Sequence, residues 1–263
     1  MRRSPSEGAG IVTMSKWMTS PGTNVAGVAA ADVELADTLD NLDGADNYAE
    51  WILAQVEPHL GQDVLEVGAG HGTFTEMLSA RGYHVVATDV SERCVGILRE
   101  RFATDGRVTV VPGGANAVAG MPSHDAAVLI NVLEHIQDDD AVLREIGAAL
   151  KPGGRLILWV PAYQALYSDF DRRIGHYRRY TKKALREQLV RAGYDVPEIR
   201  YHNTVGALAW LIVARLMRRD PTGGAPVKIY DSLLVPVLQR LEGTWGAPFG
   251  QSVFAVATWP GDR

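Results

Sequence analysis

The stretch Val64-Leu65-Glu66-Val67-Gly68-Ala69-Gly70-His71-Gly72-Thr73-Phe74 constrains the fold of this chain more than any other. An apolar run carrying an acid near its end, then glycines at alternate positions, then a helix-like pattern reads as a buried parallel strand turning tightly into a helix. Glycine lacks a Cβ, so ligand atoms can lie against the backbone of such a turn. The unpaired amides of a helix opening after Gly72 would face whatever occupies it. An ordinary strand-to-helix connection has the same pattern, so companions elsewhere in the chain must decide between the two.

A dinucleotide fingerprint, G-x-G-x-x-G, would need glycine at Thr73, whereas the third glycine stands at Gly72. That spacing disfavours a nicotinamide or flavin. Written as E-x-G-x-G-x-G, the stretch resembles the first motif of the class I S-adenosylmethionine-dependent methyltransferases, in which the turn wraps the amino acid end of the cofactor. The resemblance implies cofactor contacts at Glu66, Gly68, Ala69, Gly70 and Gly72.

The expected companions follow in order. His84-Val85-Val86-Ala87-Thr88-Asp89 reads as a second buried strand with an acid at its carboxyl end, about twenty residues beyond the turn. An acid there can accept from both ribose hydroxyls, with Val90 beside it; the alternative is a helix N-cap shared with Ser91. A third strand, Val108-Thr109-Val110-Val111, leads to a loop where the family often places an acid beside adenine. No acid stands there, so Ala115 and Asn116 take that position, by amide or by backbone. After a fourth strand comes Asn131-Val132-Leu133-Glu134-His135, similar to the family's post-strand motif. The likeness implies Asn131 and Val132 beside the cofactor, and Glu134 and His135 at the substrate mouth. Lys151-Pro152-Gly153-Gly154 before a fifth strand from Arg155 is a further family feature. Upstream, Tyr48, Trp51, Ile52 and Val56 recur at helical spacing, and Tyr48 borders the methionine end or is plain core.

The densest group of aromatic and polar side chains lies beyond the fifth strand, from Tyr163 to Thr181. In one reading Tyr163, Tyr177 and Arg178 hold the acceptor and His176 takes its proton, with His135 a second catalytic candidate. In the other, Asp171 pairs with Arg178 or Arg179 and fixes a long loop. Thr181 reads as the N-cap of the next helix. Strands over residues 195–203 and 251–259 then bracket two helical stretches. The first, over residues 205–217, is almost wholly apolar, with Trp210 near its middle and Arg215, Arg218 and Arg219 at its end. It is too short to span a bilayer, which takes about 20 apolar residues, and its character suits a lid, the wall of a lipophilic pocket or an interfacial helix. The second, over residues 230–241, places Leu233, Leu234, Val237 and Leu241 on one face.

The expected fold is α/β, a doubly wound seven-stranded mostly parallel sheet of the Rossmann-like methyltransferase type, with a helical insertion before an antiparallel last strand. Residues 1–44, rich in Gly, Ala, Ser, Thr and Asp, read as a flexible arm. Residues 45–203 and 251–263 form the cofactor-binding domain, and 204–250 a helical cap. The net charge of -5 argues against a nucleic-acid partner, and a single cysteine, Cys94, fits a reducing cytoplasm. Arg2 and Arg3 are not followed by an apolar segment of the secretory kind. The implied reaction is methyl transfer from S-adenosyl-L-methionine, leaving S-adenosyl-L-homocysteine, to an oxygen, or less readily a nitrogen, of a small or lipid-like hydrophobic acceptor. Rival readings are another transfer from the same cofactor and a noncatalytic module that kept the fold. The 7 histidines are scattered in sequence and no metal is expected, unless the fold gathers ligands that spacing does not reveal. Oligomeric state is not legible.

Overall fold

The computed structural model describes residues 45–118, 124–212, 228–243 and 247–261. The arm expected over 1–44, residues 213–217 of the apolar helix, Arg218, Arg219 and the loop at 221–226 lie outside the described residues.

Seven strands form one sheet in the order β3-β2-β1-β4-β5-β7-β6. They are β1 (Asp63–Val67), β2 (His84–Asp89), β3 (Val108–Pro112), β4 (His124–Ile130), β5 (Leu150–Pro161), β6 (Asp195–His202) and β7 (Ser252–Thr258). Pairings among β1 to β5 are parallel, and β7 runs antiparallel to both β5 and β6. This is the doubly wound sheet expected from the sequence. The chain winds outward from β1 to β3, then crosses back to β4, so the order reverses between β1 and β4. Strand ends part at such a reversal and leave a crevice.

Eight helices accompany the strands among the described residues: α1 (Asp46–Val56), α2 (Thr73–Ala80), α3 (Glu92–Arg101), α4 (Asp139–Ala149), α5 (Asp169–Arg173), α6 (Lys182–Arg191), α7 (Thr204–Trp210) and α8 (Val235–Glu242). Leu65 and Val67 of β1 face a core shared with Val142 and Ile146 of α4 and Leu185 and Leu189 of α6. Val64 faces the opposite core, with Ile52 and Val56 of α1, Leu78 of α2 and Leu98 of α3. Both faces are thus covered, which is why the central strands read as apolar runs. Thr181 caps α6 by accepting from the Ala184 amide at 3.2 Å, as its position in the sequence suggests.

Two details differ from the pattern read in the sequence. Strand β5 starts at Leu150, ahead of Arg155, because the Lys151–Gly154 turn is drawn into the sheet as an irregularity. There Gly153 has φ +81° and donates to the Trp259 carbonyl at 2.7 Å, and Lys151 reaches Asp125 at 2.6 Å. The second is the insertion helix, whose packed side is not the face formed by Leu233, Leu234, Val237 and Leu241. Val235 and Leu238 pack on Trp51, while Leu233, Leu234, Val237 and Leu241 are exposed. The insertion is fastened by acids: Asp231, in a π-helical turn at Tyr230–Leu234, accepts from the Asn47 and Tyr48 amides at 3.2 and 2.8 Å. It thereby caps α1, whose own N-cap, Ala45, offers no side-chain acceptor. Glu242 likewise accepts from the Asn203 and Thr204 amides, at 2.7 and 2.8 Å, where α7 begins.

Candidate functional site

The glycine turn after β1 lies at the sheet reversal. Gly68, Gly70 and Gly72 have φ of +76°, +56° and +87°, the left-handed region that a side chain disfavours. Two of them have a second reason to be glycine. A Cβ on Gly68 would stand 2.6 Å from Val132 Cγ2, and one on Gly72 would stand 2.7 Å from Phe102 Cε2. The turn is therefore pressed from β4 and from beyond α3, and the Gly68 and Ala69 amides donate to the Thr88 carbonyl at 2.8 and 2.9 Å.

Asp89, at the end of β2, ties into the same turn. Its Oδ2 accepts from the Gly70 amide at 2.8 Å and its Oδ1 from the Ser91 amide at 2.8 Å. Each oxygen keeps a lone pair, so the carboxylate can brace the turn and still accept from a neighbouring hydroxyl. Burial pushes the Asp89 carboxyl up, against the opposing pull of those amides. The N-cap of α3 is Ser91, which accepts from Cys94, and Asp89 is not that cap. Glu66 is buried and directed into α2, where its Oε2 accepts from Thr75 Oγ1 at 2.5 Å. Desolvation, reinforced by the Asp89 charge, pushes Glu66 up to about 7 although Thr75 opposes the rise.

Beyond β2, Val90 is 40% exposed, an unusual position for valine, and its Cγ1 lies 4.0 Å from the Cβ position of Gly114. Asn116 Oδ1 lies 3.7 Å from that same point, Asn116 is exposed, and Ala115 is buried beneath. Val90 and Asn116 thus both stand beside Gly114, in the loop after β3. Across the reversal, Asn131 adopts φ +53° and donates its amide to Trp159 at 2.8 Å, while Val132 seats against Gly68. Tyr48 is half-buried; its hydroxyl accepts from Trp159 Nε1 at 3.3 Å and lies 3.5 Å from Ser252 Oγ.

A second polar group stands next to Val132. Glu134 is completely buried, and desolvation pushes it up to about 7 despite the nearby His176. His176 Nδ1 is 2.9 Å from Asp171 Oδ1, and its Nε2 is 3.8 Å from Glu134 Oε1. The His135 and His176 rings meet edge to face at 4.5 Å. Desolvation and then His176 push His135 down to about 3, so its ring is neutral near pH 7. Burial alone would raise Asp171, but His176 and Arg179 outweigh it and hold that carboxyl at about 2. The fold thereby gathers an acid and two histidines whose proximity the sequence did not reveal, with ligand atoms all within 4.8 Å of one another.

The remaining candidates divide by what their polar atoms touch. Arg178 reaches Asp139 at 2.6 Å and the Gln137 carbonyl at 2.7 Å. Arg179, rather than Arg178, pairs with Asp171, at 2.7 Å, and its guanidinium lies 4.4 Å over the Trp210 ring. Trp210 is buried against Phe170 and donates to the Leu166 carbonyl at 3.1 Å, which makes it part of the packing between the insertion and the His176 loop. Tyr163, at φ +58°, stacks on Tyr201 at 4.8 Å. Tyr177 is exposed at its ring and donates its amide to the Glu134 carbonyl at 2.8 Å. Sequence reasoning missed His202. It is fully buried, stacks on Trp159 at 5.3 Å and is pushed down to about 4 by burial and then Arg200. Nothing in its spacing could have drawn attention to it.

The comparisons with known proteins bear on this geometry. A family model described as a methyltransferase domain matches residues 39–199. The chain is 36% identical over 114 residues to the ubiquinone biosynthesis O-methyltransferase of Xanthomonas axonopodis pv. citri, covering 41% of this chain and 46% of that protein. It is 34% identical over 126 residues to the demethylmenaquinone methyltransferase of Clavibacter sepedonicus, covering 46% and 51% respectively. The chain spans about half the length of these relatives. Among solved structures, the 1,6-didemethyltoxoflavin-N1-methyltransferase of Burkholderia thailandensis superposes with a TM-score of 0.56 at 19% identity, covering 91% of this chain and 92% of that one.

Proposed function

Because the chain belongs to the methyltransferase domain family, whose model matches more than half of it, we propose that it transfers a methyl group from S-adenosyl-L-methionine to an oxygen, or less readily a nitrogen, of a small, lipid-like acceptor. The observation that carries this reading is the bond from the Gly70 amide to Asp89, which joins the glycine turn and the acid at the end of β2 into one rigid cradle. The residues fit the cofactor. The turn, with its left-handed glycines, would receive the methionine end, Asp89 would accept from the ribose, and Val90 and Asn116 would border the adenine. Asn131 and Val132 close the crevice from β4.

S-adenosylmethionine supplies a methyl carbon already activated by a positive sulfur. The protein's task is therefore to align the acceptor behind that carbon and exclude water, a contribution of about 7–11 kcal/mol in well-oriented systems. Glu134, His135 and His176 give the acceptor end its polar groups, since Glu134 and His135 stand two and three residues after Val132 in the chain. The names of the relatives, which concern quinones, support a hydrophobic acceptor. So do the exposed Leu208, Ile212, Leu233 and Leu241 of the insertion, which would let a cytoplasmic protein touch a bilayer from one side. Among the described residues no helix is long and apolar enough to cross a membrane.

Titration calorimetry with S-adenosylmethionine tests the proposal. The native chain is expected to bind, and Asp89→Ala to lose at least about 2 kcal/mol of binding, roughly 30-fold, because a charge-assisted pair to the ribose goes and the Gly70 amide is left without its acceptor. Unchanged affinity in Asp89→Ala would remove that residue from the site. No heat with the native chain would overturn the reading as a whole.

A further inference from the structure

We infer that Glu134, His135 and His176 bind one divalent transition-metal ion beside the methyl-transfer crevice. Three observations converge. First, Glu134 has no accessible surface, yet neither carboxylate oxygen has a hydrogen-bond partner. An unpartnered buried carboxylate is among the most expensive arrangements in a protein interior, and such groups ordinarily are paired or ligate a metal. Its nearest cationic candidate does not satisfy it: 3.8 Å from Glu134 Oε1 to His176 Nε2 is too long for a hydrogen bond. It suits a shared ion, since two donors each about 2.0–2.2 Å from one metal stand roughly 3–4 Å apart.

Second, His176 is oriented as a metal ligand is. A ligating imidazole usually gives its other nitrogen to a carboxylate or a carbonyl, which fixes the ring and its tautomer. His176 Nδ1 meets Asp171 Oδ1 at 2.9 Å, which turns Nε2 towards Glu134. The His135 ring meets that of His176 edge to face at 4.5 Å, at the same end of the cluster. Asp171 is itself held, by Arg179 at 2.7 Å and by the Ser168 amide and hydroxyl at 2.8 Å each. Third, all three potential ligand atoms lie within 4.8 Å of one another, so closing the set takes movement of roughly one ångström in a side chain.

Two imidazoles and one carboxylate select a first-row transition ion over magnesium or calcium, which prefer oxygen alone. Three protein ligands leave coordination positions open to water or to oxygen atoms of a bound molecule. The cofactor turn needs no metal. That the open positions hold the methyl acceptor's oxygen rests on the function proposed above, but binding of the ion does not.

The test uses the full chain, stripped with a chelator and titrated with Co²⁺, whose visible absorption reports nitrogen and oxygen ligation, with Zn²⁺ as competitor. One equivalent is expected to bind and to be displaced by Zn²⁺. Glu134→Gln and His176→Ala should each weaken binding by at least 100-fold, and Asp171→Asn, which acts through His176 and through the Arg179 pair that holds its loop, by about 10- to 100-fold. Circular dichroism accompanies each variant. Should Glu134→Gln fail to fold, His135→Ala, at the less buried end of the cluster, replaces it with the same expected loss. Absence of Co²⁺ absorption in the native chain, or absorption undiminished in the variants, would overturn the inference. A parallel titration with S-adenosylmethionine keeps the two readings apart: cofactor binding without Co²⁺ binding refutes only the metal site, and the reverse refutes only methyl transfer.

Discussion

Replacing Glu66 with glutamine probes what the interior beneath the glycine turn does to a charge. Glu66 is 5% exposed and its carboxyl is pushed from an ordinary 4.5 up to about 7. The folded chain therefore holds a proton on Glu66 that the unfolded chain has released. Because the folded-state value is the higher one, this group's contribution is most favourable below about pH 4.5, declines as pH rises, and is fully lost above about pH 7. At about 1.4 kcal/mol for each tenfold change in proton affinity, the loss amounts to about 3 kcal/mol. Glu66→Gln keeps the shape and the acceptor for Thr75 but cannot ionise. Urea unfolding of both proteins at steps between about pH 4.5 and pH 8 isolates the effect, since every other titrating group is shared. The stability difference should move by about 3 kcal/mol in favour of Glu66→Gln across that window and be flat above it. A difference that stays constant with pH would refute the reasoning, and would mean that the folded chain solvates this carboxylate as well as water does.

Two further outcomes are expected. Gly68→Ala should cost at least about 1–2 kcal/mol from the left-handed backbone alone, plus the overlap with Val132, so Val132→Ala should recover only the second part in a double-mutant unfolding series. Leu233→Ser with Leu241→Ser, at 65% and 77% exposed, should leave urea stability within about 0.5 kcal/mol and lower co-sedimentation with lipid vesicles; unchanged co-sedimentation would remove the exposed leucines from membrane contact.

The parts of the fold legible in sequence are those built from local pattern. Strands β1, β2 and β4 read as apolar runs because both their faces are buried, and the turn after β1 declares itself because three positions must be left-handed. The placement of Asp89 beside the turn was legible for a related reason: it ends β2 next to the sheet reversal. The insertion was harder. Its helices carry apolar residues on both sides, so periodicity alone could not say whether Val235 and Leu238 or Leu233 and Leu241 turn inward; Trp51, far away in the chain, decides. The cluster at Glu134 was hidden more completely. His135 follows β4 and His176 belongs to the loop before α6, and only the closure of that loop by Arg179 on Asp171 brings them together. Arg178 and Arg179 are adjacent and chemically identical, and their division of labour depends on which one faces inward.

The acceptor that terminates α1 comes from position 231, 184 residues downstream of Asn47. A ribosome emits that carboxylate only after almost the whole sheet has been translated. Until then the opening amides of the first helix remain exposed to water, and the segment that covers Trp159 stays loosely held. Final consolidation of α1 is thus deferred until residue 231 of 263 has been made, as folding of contacts between remote segments generally is. Excising the insertion would accordingly loosen α1 as well as its own neighbourhood.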